Sequence, residues 1–482
     1  METSITSNKT FFKNVVWYLL GTTIPMGINL VKTPIFTRHY SPEDYGYLGL
    51  VLTIFMYLST VSYAWLASCI WRYYHTFESK KILKKFYSNL VFLFGISTII
   101  LFIFSLIFLL LYHSPLLIFK LIIICFFHFI FKELLGLYFI ILRIKGEAKE
   151  SNILLITQTV SSFFVLLFLA FCLNFDISSL ILSSAIIDLL YLILLSIYLF
   201  RQGKFNQLKI KFVNRKYLKL FFGFGSFIIL SSLFTLLIVS SDRYILAMYD
   251  TIENVGIYTK VYDIAQISIT ALVFVFFSVI NPKMNKELAN NLSNSNILLK
   301  KYLFAYLLIL LPVTFIASIF SKEFAELLLG KEFQEGFQII PYVFFSTLIY
   351  GIITFNQNKL KFSNRLKSII IILFICFFIN LILNFIFIPQ NGYYAAATST
   401  LFTYLIMLIL FFKADSIDLL ESKKDLKLVG TQLFILLLFF MIDQFFRKIV
   451  NYTILIAVIE GIVFCIIFFM IFRKQYKELK FL

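Results

Sequence analysis

Ten ionisable side chains interrupt stretches of this sequence that are otherwise almost wholly apolar, and they fall into two chemical groups. Lys32, Arg38, Arg72, Arg243 and Lys260 could give fixed positive charge to an anionic, hydrated ligand. His128, Lys132, Glu133, Asp188 and Asp263 could hold or relay a cation or a proton. An ionisable group within an apolar helix costs about 2.5–3.5 kcal/mol on insertion scales, so such residues mark a wet cavity more often than a lipid face. His128 and Lys132 are spaced to share one helix face, one turn apart. Plainer roles stay open for the same residues. Arg38, Arg72 and Arg243 lie near the ends of apolar stretches, where long cationic side chains reach back to the interface. Lys132 can pair with Glu133, and Arg243 with Asp242. Asn380 and Asn384, one turn apart, suit either sugar hydroxyls or hydrogen bonds between helices.

Other chemistries lack their residues. The sequence contains no CxxC, no HExxH, no Gly-rich dinucleotide fingerprint and no Walker motif. Cys69, Cys125, Cys172, Cys376 and Cys465 fall within or at the ends of apolar stretches, which argues against a disulfide framework. Neither a metal centre nor a cofactor is expected. An ATP-driven pump would need a nucleotide domain for which no connector has room.

The elements that must position these residues are membrane helices. About 20 consecutive apolar residues cross the hydrocarbon core. The 482 residues are 60% hydrophobic and 14% charged, with a mean hydropathy of +0.91. Fourteen stretches qualify, at about 15–37, 46–70, 87–111, 116–141, 152–174, 177–200, 218–241, 255–280, 301–320, 337–358, 367–388, 392–412, 428–446 and 450–472. Pro42, Pro115, Pro389 and Gly392 mark several of their boundaries. The first stretch is longer than a signal-peptide core and is expected to be retained as a helix. Connectors and termini on one face, from Lys80–Lys85 through Lys204 to Lys480, carry about 33 of the 43 basic residues. The positive-inside rule makes that face cytoplasmic, with both termini inside. Anionic headgroups on that face explain the net charge of +18 without a nucleic-acid partner. Glu323, Glu326, Glu332 and Glu335 read as a solvated outer face.

The chain also carries an internal echo. Arg38-His-Tyr40 and Glu43-Asp-Tyr-Gly46 near the first stretch match Arg243-Tyr244 and Glu253-Asn-Val-Gly256 about 210 residues later. Six stretches separate the copies, so both halves share one orientation, which predicts parallel repeats with a substrate path between them and the last two stretches as an appendage.

The run Tyr18-Leu-Leu-Gly-Thr-Thr-Ile-Pro25, then Pro34-Ile-Phe-Thr-Arg38 and Ser41-Pro-Glu-Asp-Tyr-Gly46, resembles the opening of polysaccharide biosynthesis and O-antigen flippases. Trp71-Arg-Tyr-Tyr74, Ser241-Asp-Arg-Tyr-Ile-Leu-Ala247 and Val255-Gly-Ile-Tyr258 extend the match. These flippases belong to the multidrug, oligosaccharidyl-lipid and polysaccharide exporter superfamily. The resemblance implies an all-α polytopic protein with two six-helix lobes around a central cavity and two further C-terminal helices. The lobes would be 1–205 and 206–414, with 415–482 holding the added helices and a cytoplasmic tail. It implies a bacterial cytoplasmic membrane and an undecaprenyl-pyrophosphate-linked oligosaccharide, an O-antigen or other surface-polymer unit, moved to the outer leaflet by alternating access. Membrane lipids, a glycan polymerase and a chain-length regulator would be its working partners. Two alternatives stand beside it: an ion-coupled drug exporter of the same superfamily, and a membrane glycan polymerase or glycosyltransferase. The basic first stretch disfavours the former, and the short outer connectors disfavour the latter.

Overall fold

The computed structural model describes residues 2–111, 116–203, 209–290, 295–415, 423–449 and 454–478. Pro115, Lys204 and Lys480 lie outside the described residues. Among the described residues every regular element is a helix. Apolar runs this long have no other solution in hydrocarbon, because a helix satisfies every backbone N–H and C=O within its own segment. Hydroxyls within the spans follow the same rule. Thr53, Thr98, Thr159 and Thr235 each donate to the carbonyl one turn back at 2.7–2.9 Å.

The helices, in chain order, are α1 (Glu2–Phe36), α2 (Pro42–Ser59), α3 (Trp65–Ser79), α4 (Leu83–Leu111), α5 (Leu116–Ile144), α6 (Ala148–Leu167), α7 (Ser179–Arg201), α8 (Arg215–Ser240) and α9 (Asp242–Tyr249). Then come α10 (Ile252–Asn290), α11 (Ser295–Ile319), α12 (Ser321–Leu328), α13 (Ile340–Phe362), α14 (Leu366–Asp415), α15 (Lys423–Ile449), α16 (Ile454–Ile471) and α17 (Arg473–Glu478). Eleven segments among the described residues are long and apolar enough to cross a membrane. One of these, 366–414, is two helices merged across a kink at Gly392. The remaining long helices, α1 with 35 residues and α5 with 29, complete fourteen. The protein is thus a multi-pass membrane protein. The break expected at Pro389 and Gly392 falls at Gly392, whose φ of +53° is natural only for glycine. A Cβ there would also lie 2.8 Å from the Asp250 carboxylate.

The chain divides into two compact units, one made of Met1–Lys32 with Asp44–Ser240, the other of Thr33–Glu43 with Ser241–Leu482. The helix 215–240 therefore belongs to the first unit, whereas the family resemblance set the lobe boundary at 205/206. In the first unit α5 packs on α3, α6 and α7. Phe55 of α2 stacks on Phe129 of α5 with ring centroids 5.7 Å apart. A π-helical turn, Thr60–Ala64, joins α2 to α3. Such a turn accommodates one extra residue and rotates the helix beyond it. Here it buries Tyr63, whose hydroxyl meets Thr98 at 2.9 Å.

In the second unit α10, α11, α13, α15 and α16 share one apolar core that includes Phe277, Tyr306, Phe355, Phe439 and Phe464. The rings of Phe439 and Phe464 stack at 4.3 Å and hold α15 to α16. Arg447 near the end of α15 bonds Glu323 of α12 through Nη1 at 2.6 Å and Nη2 at 3.2 Å, and its Nε reaches Asp443 at 2.8 Å. Glu323 is therefore a buried ion-pair partner rather than part of a solvated face.

Two substitutions test these contacts. The Gly330 N–H donates to Thr37 Oγ1 at 2.8 Å, and a Cβ at Gly330 would lie 2.0 Å from the Thr37 carbonyl oxygen. Gly330→Ala is expected to destabilise by about 1–3 kcal/mol, through overpacking against backbone that cannot yield. Arg447→Ala strands two buried carboxylates and is expected to cost about 3 kcal/mol, with Arg447→Ala/Glu323→Ala recovering part of the loss. Thermal midpoints of the purified protein in detergent measure both; unchanged midpoints would refute the packing described.

Candidate functional site

Four helices of the first unit each present one polar stripe to a common chamber of about 440 Å³. From α1 come Asn29 and Lys32, and from α5 come His128, Lys132 and Glu133. The α6 stripe is Gln158, Thr159 and Ser162; that of α7 is Ser184 and Asp188. The spacings of three and four residues put side chains on one helical face, while Glu133 and Thr159 widen the stripes of Lys132 and Gln158 by one position each. Gly136 and apolar residues, Phe139 and Leu155 among them, complete the wall.

His128, Asp188 and Glu133 are placed by partners on other helices. His128 Nδ1 lies 3.0 Å from Asp188 Oδ2, at ion-pair distance but off the angle of a straight hydrogen bond. The Gln158 amide donates to Asp188 Oδ1. Asp188 is buried, with its side chain 3% exposed, while that of His128 is 12% exposed. Ser162 and Ser184 join α6 to α7 through hydroxyls 3.0 Å apart. Glu133 accepts a hydrogen bond from Ser59 of α2 at 2.9 Å, and Lys132 Nζ lies 5.3 Å from the centre of the Phe129 ring. The pairing of Lys132 with Glu133 expected from their adjacency is not what forms. Consecutive helix residues diverge by about 100° and do not face each other.

So the structure brings together Lys32, His128, Lys132, Glu133 and Asp188. The other five candidates lie elsewhere. Arg38 is exposed and donates from Nη1 to the Pro34 carbonyl at 3.1 Å, satisfying a carbonyl at the end of α1. Arg72 is exposed midway along α3, with its guanidinium carbon 4.3 Å from the Phe224 ring centroid. In the second unit Arg243 of α9 is buried and donates to Asp263 of α10 at 2.7 Å. Asp242 accepts from the Tyr258 hydroxyl, so the two neighbours on α9 bond different residues of α10. Lys260 is half-buried on α10, one turn before Asp263. Of the two readings of Asn380 and Asn384, the interhelical one holds. Asn380 donates to Thr403 across the kink of α14 at 3.1 Å, and Asn384 donates to Asn380 at 3.0 Å.

Sequence reasoning missed Ser59, Gln158 and the two chamber serines. A faint signal was present: Gln158 and Ser162, like Ser184 and Asp188, repeat at one-turn spacing inside apolar runs.

Comparison with known proteins places this architecture. The fold is similar to the lipid II flippase MurJ in an inward closed conformation, with a TM-score of 0.73 and 17% identity over 96% of this chain and 100% of that one. It is similar also to an outward-facing multidrug resistance MATE family transporter of the MOP superfamily, with a TM-score of 0.62 and 13% identity over 85% of this chain and 95% of the other. At such identities the likeness concerns the fold. The succinoglycan biosynthesis transport protein ExoT of Rhizobium meliloti (strain 1021) is 33% identical over 82 residues, 17% of this chain; the match spans only 16% of that relative's length. The family model described as polysaccharide biosynthesis protein matches residues 11–288, a stretch that contains the chamber and the Arg243–Asp263 pair alike, and the chain belongs to that family.

Proposed function

We propose that this protein is a flippase for undecaprenyl-pyrophosphate-linked oligosaccharides, which it moves from the inner to the outer leaflet of the bacterial cytoplasmic membrane. The observation that carries this reading is the chamber itself: two lysines, Lys32 and Lys132, stand among amides and hydroxyls, and the two carboxylates of the wall, Glu133 and Asp188, each accept a hydrogen bond from a neutral neighbour, Ser59 and Gln158. Fixed ammonium groups suit a pyrophosphate, and amides and hydroxyls suit sugar hydroxyls, being donors and acceptors at once. A long isoprenoid tail needs no such lining, because it can stay in lipid.

The family supports a saccharide substrate, and the descriptions of MurJ and ExoT, a lipid II flippase and a succinoglycan transport protein, point the same way. Chemically, the barrier to crossing belongs to the hydrated head. A polar chamber exposed alternately to the two faces lowers that barrier without a nucleotide. A head with two negative charges gains about 2.3 kcal/mol per charge per 100 mV on crossing fully outward from an inside-negative cytosol, or about 4–5 kcal/mol per 100 mV for the pair. The basic connectors set the orientation this requires, with both termini in the cytosol. The product would then be delivered to a glycan polymerase and its chain-length regulator at the outer face.

Lys32→Ala removes one charge-assisted contact, worth about 1.5–3 kcal/mol, and is expected to cut export about tenfold or more. The measurements are surface polymer in a deletion strain complemented with the variant, and lipid-linked glycan retained in the inner leaflet. Wild-type export from Lys32→Ala, at equal protein level, would remove the role given to this lysine. Reconstituted vesicles that carry a cationic dye but no lipid-linked glycan would favour the drug exporter instead.

A further inference from the structure

The first unit has a second hollow, of a different character. A groove of about 650 Å³ runs between α5, α6 and α7, walled by Leu135, Phe139 and Leu142 of α5, Leu154 of α6 and Leu195 of α7. Its rim residues Ile153 and Leu194 are exposed, so it opens toward the bilayer. Its walls extend seven positions on α5, from Leu135 to Leu142, and seven on α7, from Tyr191 to Tyr198. That is about 10 Å of helix, which fits within one leaflet of a hydrocarbon core about 30 Å thick. One end of the groove is polar. Glu147, Lys149 and Glu150 line it and are all exposed. Glu147 and Tyr198 both lie within electrostatic reach of Tyr138 there. The neighbouring cation Arg143 is engaged elsewhere: its Nε donates to Ser151 at 3.1 Å, and its guanidinium carbon lies 5.9 Å from the Tyr18 ring centre. Among the described residues no ion pair engages Glu147 or Glu150. The mouth of the groove thus offers two carboxylates and one ammonium.

We infer that this groove binds a zwitterionic phospholipid with a primary ammonium, phosphatidylethanolamine: an acyl chain between α5, α6 and α7, the ammonium at Glu147 and Glu150, and the phosphate at Lys149. Bilayer tails are as apolar as leucine, so a chain gains little by leaving them for the groove and cannot by itself select an occupant. Selection falls to the head. A primary ammonium, like that of lysine, has three N–H donors, and its hydrogen bonds to carboxylates are charge-assisted. The trimethylammonium of a choline lipid carries the same charge beside the same phosphate but has no N–H to give. An anionic head brings a phosphate for Lys149 and meets repulsion from the two carboxylates. Phe139 lines the chamber as well, which makes the isoprenoid tail of a transported lipid the rival occupant. A pyrophosphate head at this mouth meets the same repulsion, and the phospholipid is the better match. The inference does not depend on the substrate proposed for the chamber.

The test is native mass spectrometry of the full-length protein with an equimolar mixture of palmitoyl-oleoyl phosphatidylethanolamine, phosphatidylcholine and phosphatidylglycerol, which share their chains and differ in mass. One phosphatidylethanolamine is expected to stay bound at about fivefold or more the level of the choline lipid, the margin of a charge-assisted hydrogen bond. Glu147→Gln/Glu150→Gln should bring the ethanolamine lipid down to the choline level while leaving the choline lipid where it was. Leu195→Trp, which fills the groove, should reduce the bound ethanolamine lipid. The wild-type comparison needs no variant, so a misfolded mutant does not rescue the idea. Equal retention of the three lipids, a preference for phosphatidylglycerol, or an ethanolamine preference that survives either variant overturns the inference. Displacement of the bound phospholipid by an equal concentration of undecaprenyl phosphate also overturns it, and would give the groove to the isoprenoid tail instead.

Discussion

A helix turns about 100° with each residue, and in hydrocarbon no water compensates a charge that faces the wrong way. Charges adjacent in sequence are thereby sent to different partners, and the hydrogen-bonded ones find theirs on other helices. Asp242 and Arg243 show it in the second unit, where one takes Tyr258 and the other Asp263. Lys132 and Glu133 show it in the first, where Lys132 overlies Phe129 of its own helix and Glu133 is bonded by Ser59 of α2. Each such bond fixes the rotation of a helix about its own axis, which apolar packing against lipid-like neighbours specifies only weakly. The ionisable residues therefore orient the spans as well as serving the chamber.

Uncharged polar groups obey the same constraint at lower stakes. Threonines return their hydrogen bonds to their own helix, so they cost little and specify little. Asparagines and serines reach across: Asn380 to Thr403 braces the two arms of α14, and Ser162 to Ser184 joins α6 to α7. The chamber arises where polar stripes from four helices coincide at one depth, and its mixture of hydroxyl, amide and charge follows from that coincidence.

The membrane class, the number of spans and the family were legible in the sequence, because they depend on composition and local motif. So were the ionisable residues, which stand out against leucine and phenylalanine. What the sequence could not say is which of them meet. Lys32 and Asp188 are 156 positions apart and share a chamber, whereas Lys32 and Arg38 are six apart and have unrelated surroundings. Meeting depends on helix rotation and depth, and no single stretch encodes either. Gln158 and Ser59 went unnoticed for a different reason: neutral polar residues are common in spans, and only the carboxylates they bond give them a role. Glu323 was misread because a short acidic connector resembles a wetted rim until Arg447, 124 positions later, is seen to grip it.

That grip also bears on how the last two spans can be regarded. Counted as an addendum to a twelve-helix plan, they look separable, and a shortened chain ending after α14 would seem a natural minimal form. Yet such a chain would turn a naked Glu323 carboxylate toward acyl chains and uncover the ring faces of a core that α15 and α16 now seal. Modular bookkeeping by repeat count is thus a poor guide to what can be cut: the extra pair is mortised into its neighbour by a guanidinium fork and a phenylalanine seam.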